Sequence, residues 1–398
     1  MNEQYKRMIH LSEKRVRFTD HSWRRYLSAK IVWEERLIII KGARGTGKTT
    51  LLLQRLKSIS EKGIYLSMDD FFFETHRLSM VIEELYAQNY RQFFIDEVHQ
   101  YEFWSKDFKT IYDNFPDIHL VVTSSSILQI DKGNSDLSRR AVLYTLFGLS
   151  FREFLALEGW SKIPQLSLKE LLENHVEIAA EINDQLPILK HFSNFLEYGA
   201  FPFYRQEKRM YSQKLQQIVQ MITEIDIPTV KNINYATVRS MRKLFFILSQ
   251  NVPYTPNIQH LAEKVGVTRT SILRLLDLME RASVLQLLRS EGKSISMLQK
   301  PDKIYLDNTN FIYAFSGGMP NKGNLRETFF LNQLKVNHQV TTSKYSDFMV
   351  DQRYTFEIGG KGKTDRQILG IPLAFIAADE IESGQANKIP LWMFGLLY

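Results

Sequence analysis

Residues 42–49 read GARGTGKT, and the segments on either side decide how this stretch folds. The run RLIII at 36–40 is almost wholly apolar, which predicts a buried parallel strand. The segment TLLLQRLKSIS at 50–60 has leucines at helical spacing. A strand, a glycine-rich turn and a helix are the context in which the pattern G-x-x-x-x-G-K-[ST] binds phosphate. The stretch therefore predicts an α/β fold with a parallel sheet and a phosphate-binding loop, the P-loop.

The glycines and the lysine of the P-loop predict contacts with ATP. Gly42, Gly45 and Gly47 let the backbone wrap closely around phosphate oxygens, and the start of the helix adds partial positive charge. Lys48 is expected to reach the β- and γ-phosphates, and the Thr49 hydroxyl to bind Mg²⁺. The expected nucleotide contacts in the loop are Gly42, Ala43, Arg44, Gly45, Thr46, Gly47, Lys48, Thr49 and Thr50.

A second strand supplies the carboxylates that ATP hydrolysis needs. In RQFFIDEVHQ at 91–100, three apolar residues are followed by Asp96 and Glu97. Ligands of open α/β sheets bind at the carboxyl ends of the strands. We expect Asp96 to hold Mg²⁺ through its water shell and Glu97 to act as general base on the attacking water. The catalytic groups for hydrolysis would then include Lys48 and Glu97.

The predicted strand IHLVVTSSS at 118–126 ends in hydroxyl residues. Another predicted strand, GIYLS at 63–67, is followed by two aspartates at 69–70. We expect Thr123 or Ser124 to lie between the two carboxylate-bearing strand ends and to sense the γ-phosphate. An ordinary strand end with turn-forming serines is the alternative.

Arginines follow in DLSRRAVLY at 136–144. Arg139 or Arg140 is a candidate arginine finger, acting in cis or from a neighbouring subunit. A structural salt bridge is the alternative. A finger acting in trans would require a homo-oligomer.

The composition limits the class of protein. The 398 residues predict two or three domains, and 44% hydrophobic and 24% charged residues are typical of a globular chain. The chain has no cysteine, which excludes disulfides, thiolate metal sites and cysteine nucleophiles. The N-terminal segment 1–18 lacks the apolar core of a signal peptide, and no window resembles a membrane helix. We expect a cytoplasmic protein that does not enter membranes.

The positive charge is concentrated in one segment. Residues 231–300 contain eleven Lys/Arg and four Asp/Glu, a local net charge of +7 that equals the net charge of the whole chain. A basic excess confined to 70 residues predicts a surface that binds a polyanion. A solvated helix surface is the alternative.

The same segment contains a predicted helix-turn-helix unit. NIQHLAEKVGV at 257–267 and TRTSILRLLDLMERA at 268–282 form two amphipathic helices around a glycine-containing turn, with Thr268 as N-cap of the second. Two strands around Glu291-Gly292-Lys293 would form the wing of a winged helix. We expect this unit to contact double-stranded DNA, whereas a protein-interaction role is the alternative. The expected DNA contacts are Arg269, Thr270, Arg274 and Lys293.

Four segments of the chain together resemble a known family. They are the P-loop, FFIDE at 93–97, the hydroxyl-ended strand and LSRR…GLSFREF at 137–154. The family comprises the bacterial and archaeal AAA+ ATPases that continue into a winged helix and a restriction-endonuclease-like tail. The resemblance covers nearly the whole chain and is most specific over the first 155 residues. It implies an AAA+ P-loop domain at 1–155, a helical connector at 156–240, a winged helix at 241–312 and a small α+β nuclease-like domain at 313–398.

The sequence departs from the family pattern at several functional positions. The family has Gly-Arg where this chain has Arg139-Arg140, so that only Arg140 matches the family arginine. The family has Thr-Gly-Ser where this chain has TSS at 123–125. In the tail, the lysine of the nuclease motif is replaced by Gly359, and lysines follow at 361 and 363. Because a small misplacement of a catalytic group costs much of the rate, we expect no cleavage by the tail. The carboxylates that match the nuclease motif are Glu327, Asp347 and Glu357.

Three functions follow as hypotheses. The leading one is an ATPase that couples its nucleotide state to a DNA-binding winged helix. The second is a nucleotide-switched module that binds a protein and turns over little ATP. The third is an ATP-gated nuclease that uses Mg²⁺ in the tail.

Overall fold

The computed structural model describes residues 3–124, 137, 139–228, 233–291 and 299–398. The chain divides into two compact units, Met1–Phe147 and Gly148–Tyr398, and each is described by itself. Among the helices of the described ranges, none combines the length and the apolar character that crossing a bilayer requires.

The first unit contains a five-stranded parallel sheet. Its strands are Leu37–Lys41 (β1), Gly63–Ser67 (β2), Gln92–Asp96 (β3), His119–Ser124 (β4) and Val142–Thr145 (β5). The strand order is β2-β3-β4-β1-β5, which confirms the expected parallel α/β core. β1 and β3 are unbroken apolar runs because residues 37–40 and 93–95 are buried on both faces of the sheet.

The position of β4 corrects one expectation. β4 pairs with β1 on one side and with β3 on the other. Its hydroxyl residues therefore do not lie between the acid-ended strands β2 and β3, as the sequence suggested. They lie between the P-loop, which follows β1, and the carboxylates at the end of β3.

Helices cover the sheet of the first unit. They are Glu3–Phe18 (α1), Lys48–Ser58 (α2), Phe72–Thr75 (α3), Leu78–Tyr86 (α4) and Trp104–Asn114 (α5). The packing of α4 and α5 includes a buried carboxylate, Asp107, which accepts hydrogen bonds from Tyr101 Oη at 2.6 Å and from Ser79 N at 3.3 Å. Arg77 completes the site with an ion pair to the same carboxylate. Burial alone would raise the pKa of Asp107, but the hydrogen bonds from Arg77 and Tyr101 hold the pKa below its usual range.

We expect Asp107→Asn to lower the free energy of unfolding by about 2 kcal/mol at pH 7, because the charged acceptor of several donors is lost. The folded-state pKa of Asp107 is depressed, so its contribution is complete above the unfolded pKa of about 4 and is lost as the pH falls further. Urea unfolding of both proteins between pH 3 and pH 7 measures this difference. The exposed helix residue Glu83 provides the matched control, Glu83→Gln. A difference between wild type and Asp107→Asn that does not shrink in acid would contradict the assignment.

The second unit begins with helices. Ser150 and Glu153 form a reciprocal capping box at the start of its first helix. The helices are Phe151–Leu157 (α6), Leu168–Asn183 (α7), Ile188–Tyr198 (α8), Tyr211–Met221 (α9), Tyr235–Ser249 (α10), Ile258–Val265 (α11), Arg269–Arg281 (α12), Thr309–Phe315 (α13) and Lys322–Leu334 (α14).

The expected helix pair is present as α11 and α12. The Thr268 hydroxyl accepts a hydrogen bond from Ser271 N at 3.1 Å, which confirms the predicted N-cap. Strands Leu285–Leu288 (β6) and Lys303–Leu306 (β7) follow and pair antiparallel. Of the expected wing, Gly292 and Lys293 lie outside the described residues.

A second five-stranded sheet lies near the end of the chain. Its strands are Val340–Thr342 (β8), Phe348–Val350 (β9), Tyr354–Gly359 (β10), Ala374–Ala378 (β11) and Lys388–Pro390 (β12). β8, β9 and β10 pair antiparallel, whereas β10, β11 and β12 pair parallel. Helix α14 packs on this sheet through Phe330, whose ring centroid is 5.1 Å from that of Phe356.

Candidate nucleotide site

The P-loop connects β1 to α2 with a backbone that requires glycine. Gly45 and Gly47 have φ angles of 82° and 93°, a region that side chains disfavour. A Cβ on Gly42 would lie 2.3 Å from the carbonyl oxygen of Leu146. The three glycines are therefore dictated by backbone conformation and by close packing against Leu146, the residue directly after β5.

Lys48 lies under the loop. Its Nζ donates to the carbonyl oxygens of Gly42 and Ala43, at 2.9 Å each, and the Thr46 hydroxyl donates to Ala43 at 2.9 Å. Thr50 is exposed one position beyond Thr49. The loop thus holds its lysine at the start of α2, where backbone N–H groups without helical partners favour an anion.

Asp96 is the point at which the two motifs meet. The Thr49 hydroxyl donates to Asp96 Oδ2 at 2.6 Å, and the Tyr65 hydroxyl donates to the same oxygen at 2.8 Å. The Thr123 hydroxyl donates to Asp96 Oδ1. The carboxylate is 2% exposed, so these three hydroxyls replace water around it.

Glu97 adopts an unusual backbone conformation beside Asp96. Its φ is 54° and its ψ is 40°, the left-handed region that non-glycine residues rarely occupy and that is often found at functional sites. His99 Nδ1 lies 3.3 Å from Glu97 Oε2 and 3.3 Å from Ser124 Oγ. Ser124, one of the two sensor candidates, therefore contacts the general-base candidate through His99, while Thr123 contacts Asp96 directly.

The ends of β2 and β3 form a negatively charged region. Burial raises the pKa of Asp69 above its ordinary value, and the charges of Glu97 and Asp96 raise it further, against the positive charge of Arg44. A cation at this place would relieve the repulsion. Thr49 and Asp96 supply oxygen donors, and Mg²⁺ prefers oxygen ligands and retains several waters. The donor set therefore fits a magnesium ion bound together with a nucleotide.

Sequence reasoning missed Arg25, which supports the P-loop from below. Arg25 is 4% exposed and donates to the Thr46 carbonyl and, at 2.8 Å, to the Phe147 carbonyl. It precedes β1 in the chain and belongs to no motif. A buried arginine reveals its role only when the tertiary contacts are known.

Arg140 precedes β5 and lies at the amino ends of the parallel strands, whereas the P-loop lies at their carboxyl ends. Its guanidinium pairs with Asp113 through two hydrogen bonds of 3.0 Å and lies 5.9 Å from the Tyr112 ring. Arg36, which directly precedes β1, contacts the same tyrosine ring at 4.0 Å. The salt bridge considered as an alternative is thus present. Because the length of β1 separates the amino ends of the strands from the P-loop, a finger role for Arg140 would require a second copy of the chain.

The expected DNA contacts that the structure describes lie together on the second unit. Arg269, Thr270 and Arg274 are exposed on the first turns of α12. Lys293 is outside the described residues. Arg281 and Arg289, by contrast, form ion pairs with acidic neighbours and contribute less to the positive surface.

The tail carboxylates are accompanied by two lysines. Lys303 Nζ lies 3.1 Å from Glu327 and 3.6 Å from Asp347. Lys363 forms an ion pair with Glu357, and its aliphatic chain passes over Gly359, where a Cβ would lie 2.6 Å from it. The loop after β10 therefore brings the ammonium group of Lys363 to Glu357, beside Gly359, the position at which the expected nuclease motif has its lysine. Within the described part of the chain, no three carboxylate or histidine side chains are grouped so that they could hold a metal ion.

We expect Arg25→Met to loosen the P-loop, since two buried carbonyls lose their charged donor. The variant should lower the free energy of unfolding by about 2 kcal/mol and weaken nucleotide binding about tenfold. Thermal unfolding and titration with a fluorescent ATP analogue measure the two effects. Arg24→Met, at the exposed neighbouring position, is the control. Equal nucleotide affinity in both variants would show that Arg25 does not support the loop.

Comparison with known proteins found two family models that each match part of the chain. The family model of the AAA domain matches residues 34–155, and the model of a domain of unknown function matches residues 189–322. An uncharacterized protein of Methanocaldococcus jannaschii is 25% identical over 288 residues, which cover 68% of this chain and 60% of that protein. An uncharacterized protein of Haemophilus influenzae is 23% identical over 61% of this chain and 60% of its own length. The chain thus spans 60% of each relative.

A solved structure with a partly similar fold is the Walker-type ATPase of Pyrococcus abyssi. It has a TM-score of 0.43 and 10% identity, over 79% of this chain and 95% of that chain. Residues 34–155 thus match the family model of an AAA domain, and the same residues form a parallel α/β sheet on which the P-loop meets Asp96.

Proposed function

We propose that this protein hydrolyses ATP in its first unit and couples the nucleotide state to duplex DNA bound by α12. The observation that carries the proposal is the direct contact between the two halves of a hydrolytic site. The Thr49 hydroxyl and Asp96 Oδ2 are 2.6 Å apart, with Glu97 next in the chain. A site that only bound nucleotide would not need a general base, and Glu97, directly after the magnesium-binding candidate Asp96, can serve as one.

In this proposal, different residues bind the phosphates, hold Mg²⁺ and accept the proton of the attacking water. The loop N–H groups and Lys48 bind the phosphates, while Thr49 and Asp96 would hold Mg²⁺, which neutralises charge on the β- and γ-phosphates. Glu97 accepts a proton from water as the water oxygen bonds to the γ-phosphorus. The bond between that phosphorus and the bridging oxygen breaks, and ADP and phosphate leave.

In this proposal Arg140 acts on the nucleotide of a neighbouring copy. The ion pair with Asp113 is partly exposed, at 27% and 43% for the two side chains. Exposed ion pairs are worth roughly 0–1 kcal/mol, so release from Asp113 costs little. The proposal therefore includes a homo-oligomer in which nucleotide sites lie at subunit contacts.

The DNA-binding part of the proposal rests on the exposed start of α12. Arg269, Thr270 and Arg274 occupy the turns from which a recognition helix contacts the major groove. The local charge of +7 in residues 231–300 supports phosphate binding. For the tail we propose a role without cleavage, because Lys303 lies beside two of the three candidate metal ligands.

We expect duplex DNA to stimulate ATP turnover in wild type and to do so much less in Arg274→Glu. The variant should bind labelled duplex about tenfold more weakly, with a salt slope reduced by about 1, because a phosphate contact is lost. Fluorescence anisotropy at several salt concentrations and steady-state turnover measure these effects. Lys169→Glu makes the same charge change on α7, at a lysine that is 76% exposed.

Two outcomes would contradict the DNA part of the proposal. One is DNA affinity that does not depend on salt, and the other is an equal loss of affinity in both variants. Nucleotide binding without any DNA affinity would favour the protein-interaction alternative.

A further inference from the structure

Tyr65 connects the N-terminal helix to the carboxylate of Asp96. The tyrosine lies on β2 and is 4% exposed. Its hydroxyl donates to Asp96 Oδ2 at 2.8 Å and accepts from Arg15 Nη1 at 2.8 Å. Its backbone N–H donates to Ser12 Oγ at 2.9 Å. Two residues one turn apart on α1 thus hold both the main chain and the hydroxyl of Tyr65.

The Tyr65 hydroxyl is held from two sides, because its oxygen accepts from Arg15 while its proton is donated to Asp96. The guanidinium of Arg15 also lies 5.1 Å from the centre of the Tyr65 ring. Arg15 therefore fixes the ring from one side while the hydroxyl proton points to the carboxylate.

The three hydroxyls around Asp96 would have different neighbours when magnesium is bound. Thr49 is itself a candidate magnesium ligand, and a hydroxyl can give the ion a lone pair while its proton remains on Asp96. Tyr65 and Thr123 are not candidate magnesium ligands, and they bind one carboxylate oxygen each. The orientation of Asp96 in the nucleotide complex would therefore depend on Tyr65 and Thr123 as well as on Thr49.

We propose that Tyr65 is a positioning residue for Asp96 and that Arg15 of α1 keeps Tyr65 in place. The inference rests on the proposed function, because it assumes that Asp96 serves a magnesium-nucleotide complex. It assigns to α1 a part in nucleotide binding that none of the nucleotide motifs contains. Arg15 lies 33 residues before Lys48 in the chain and is connected to Asp96 through the Tyr65 hydroxyl.

The test is a Mg²⁺ titration of the complex between the full chain and a fluorescent ATP analogue. Tyr65→Phe keeps the ring and removes only the hydroxyl. We expect the apparent Mg²⁺ affinity to fall about tenfold, the value for one hydrogen bond to a charged group, while affinity for the analogue without Mg²⁺ stays unchanged. Tyr90→Phe is the matched control, since Tyr90 is also buried but precedes β3, at the other end of the strand from Asp96.

Arg15 is tested in the same titration. Arg15→Gln should weaken the apparent Mg²⁺ affinity about threefold, and Arg15→Lys should restore most of it. Arg17→Gln, at an exposed position on the same helix, should have no effect. Thermal unfolding of every variant identifies any that fail to fold.

The outcomes separate this inference from the proposed function, because the titration needs no turnover. Wild type that binds the analogue without dependence on Mg²⁺ would overturn both. A Mg²⁺-dependent wild type with an unchanged Tyr65→Phe variant would overturn the inference alone. A loss in Tyr65→Phe that is matched by Tyr90→Phe would show a merely structural role and would also overturn it.

Discussion

The buried carboxylate of Asp96 is the group on which the arrangement of the first unit depends. A charge that is 2% exposed is costly unless donors surround it, and here the donors come from α2, β2 and β4. Each of these elements is thereby aligned at the carboxyl end of the sheet. The P-loop, the acid pair and the hydroxyl-ended strand meet at one place, where hydroxyl groups supply the hydrogen bonds that the buried carboxylate of Asp96 requires.

Sequence patterns predicted the local parts of this site and not their tertiary partners. The P-loop and the acid-ended strand are local signals, since glycine conformation and apolar runs are encoded within a few residues. Arg25 and Tyr65 contact residues that are far away in the sequence with no fixed spacing, so no pattern reveals them. His99 lies two residues after Glu97, but its contact with Ser124 likewise depends on the tertiary structure. The position of β4 was also missed, because strand order follows from packing rather than from the order of the chain.

The second unit shows the same limit in another form. The N-cap Thr268 was predicted because capping is local. The sequence has glycine at the motif position where a lysine is expected in the tail. In the structure the side chain of Lys363 passes over Gly359 and pairs with Glu357. Only the path of the loop after β10 shows this, and the contact of Lys303 with Glu327 and Asp347 depends likewise on distant strands.

Hydrolysis at Glu97 is the central claim, and ATP turnover by Glu97→Gln tests it most directly. The variant keeps the size of the side chain and removes the base that accepts the proton of the attacking water. Turnover should fall at least about a hundredfold, the usual contribution of a general base, while Mg²⁺-dependent ATP binding stays close to wild type. Turnover that remains within about twofold of wild type, with normal ATP binding, would contradict the assignment of Glu97 as general base.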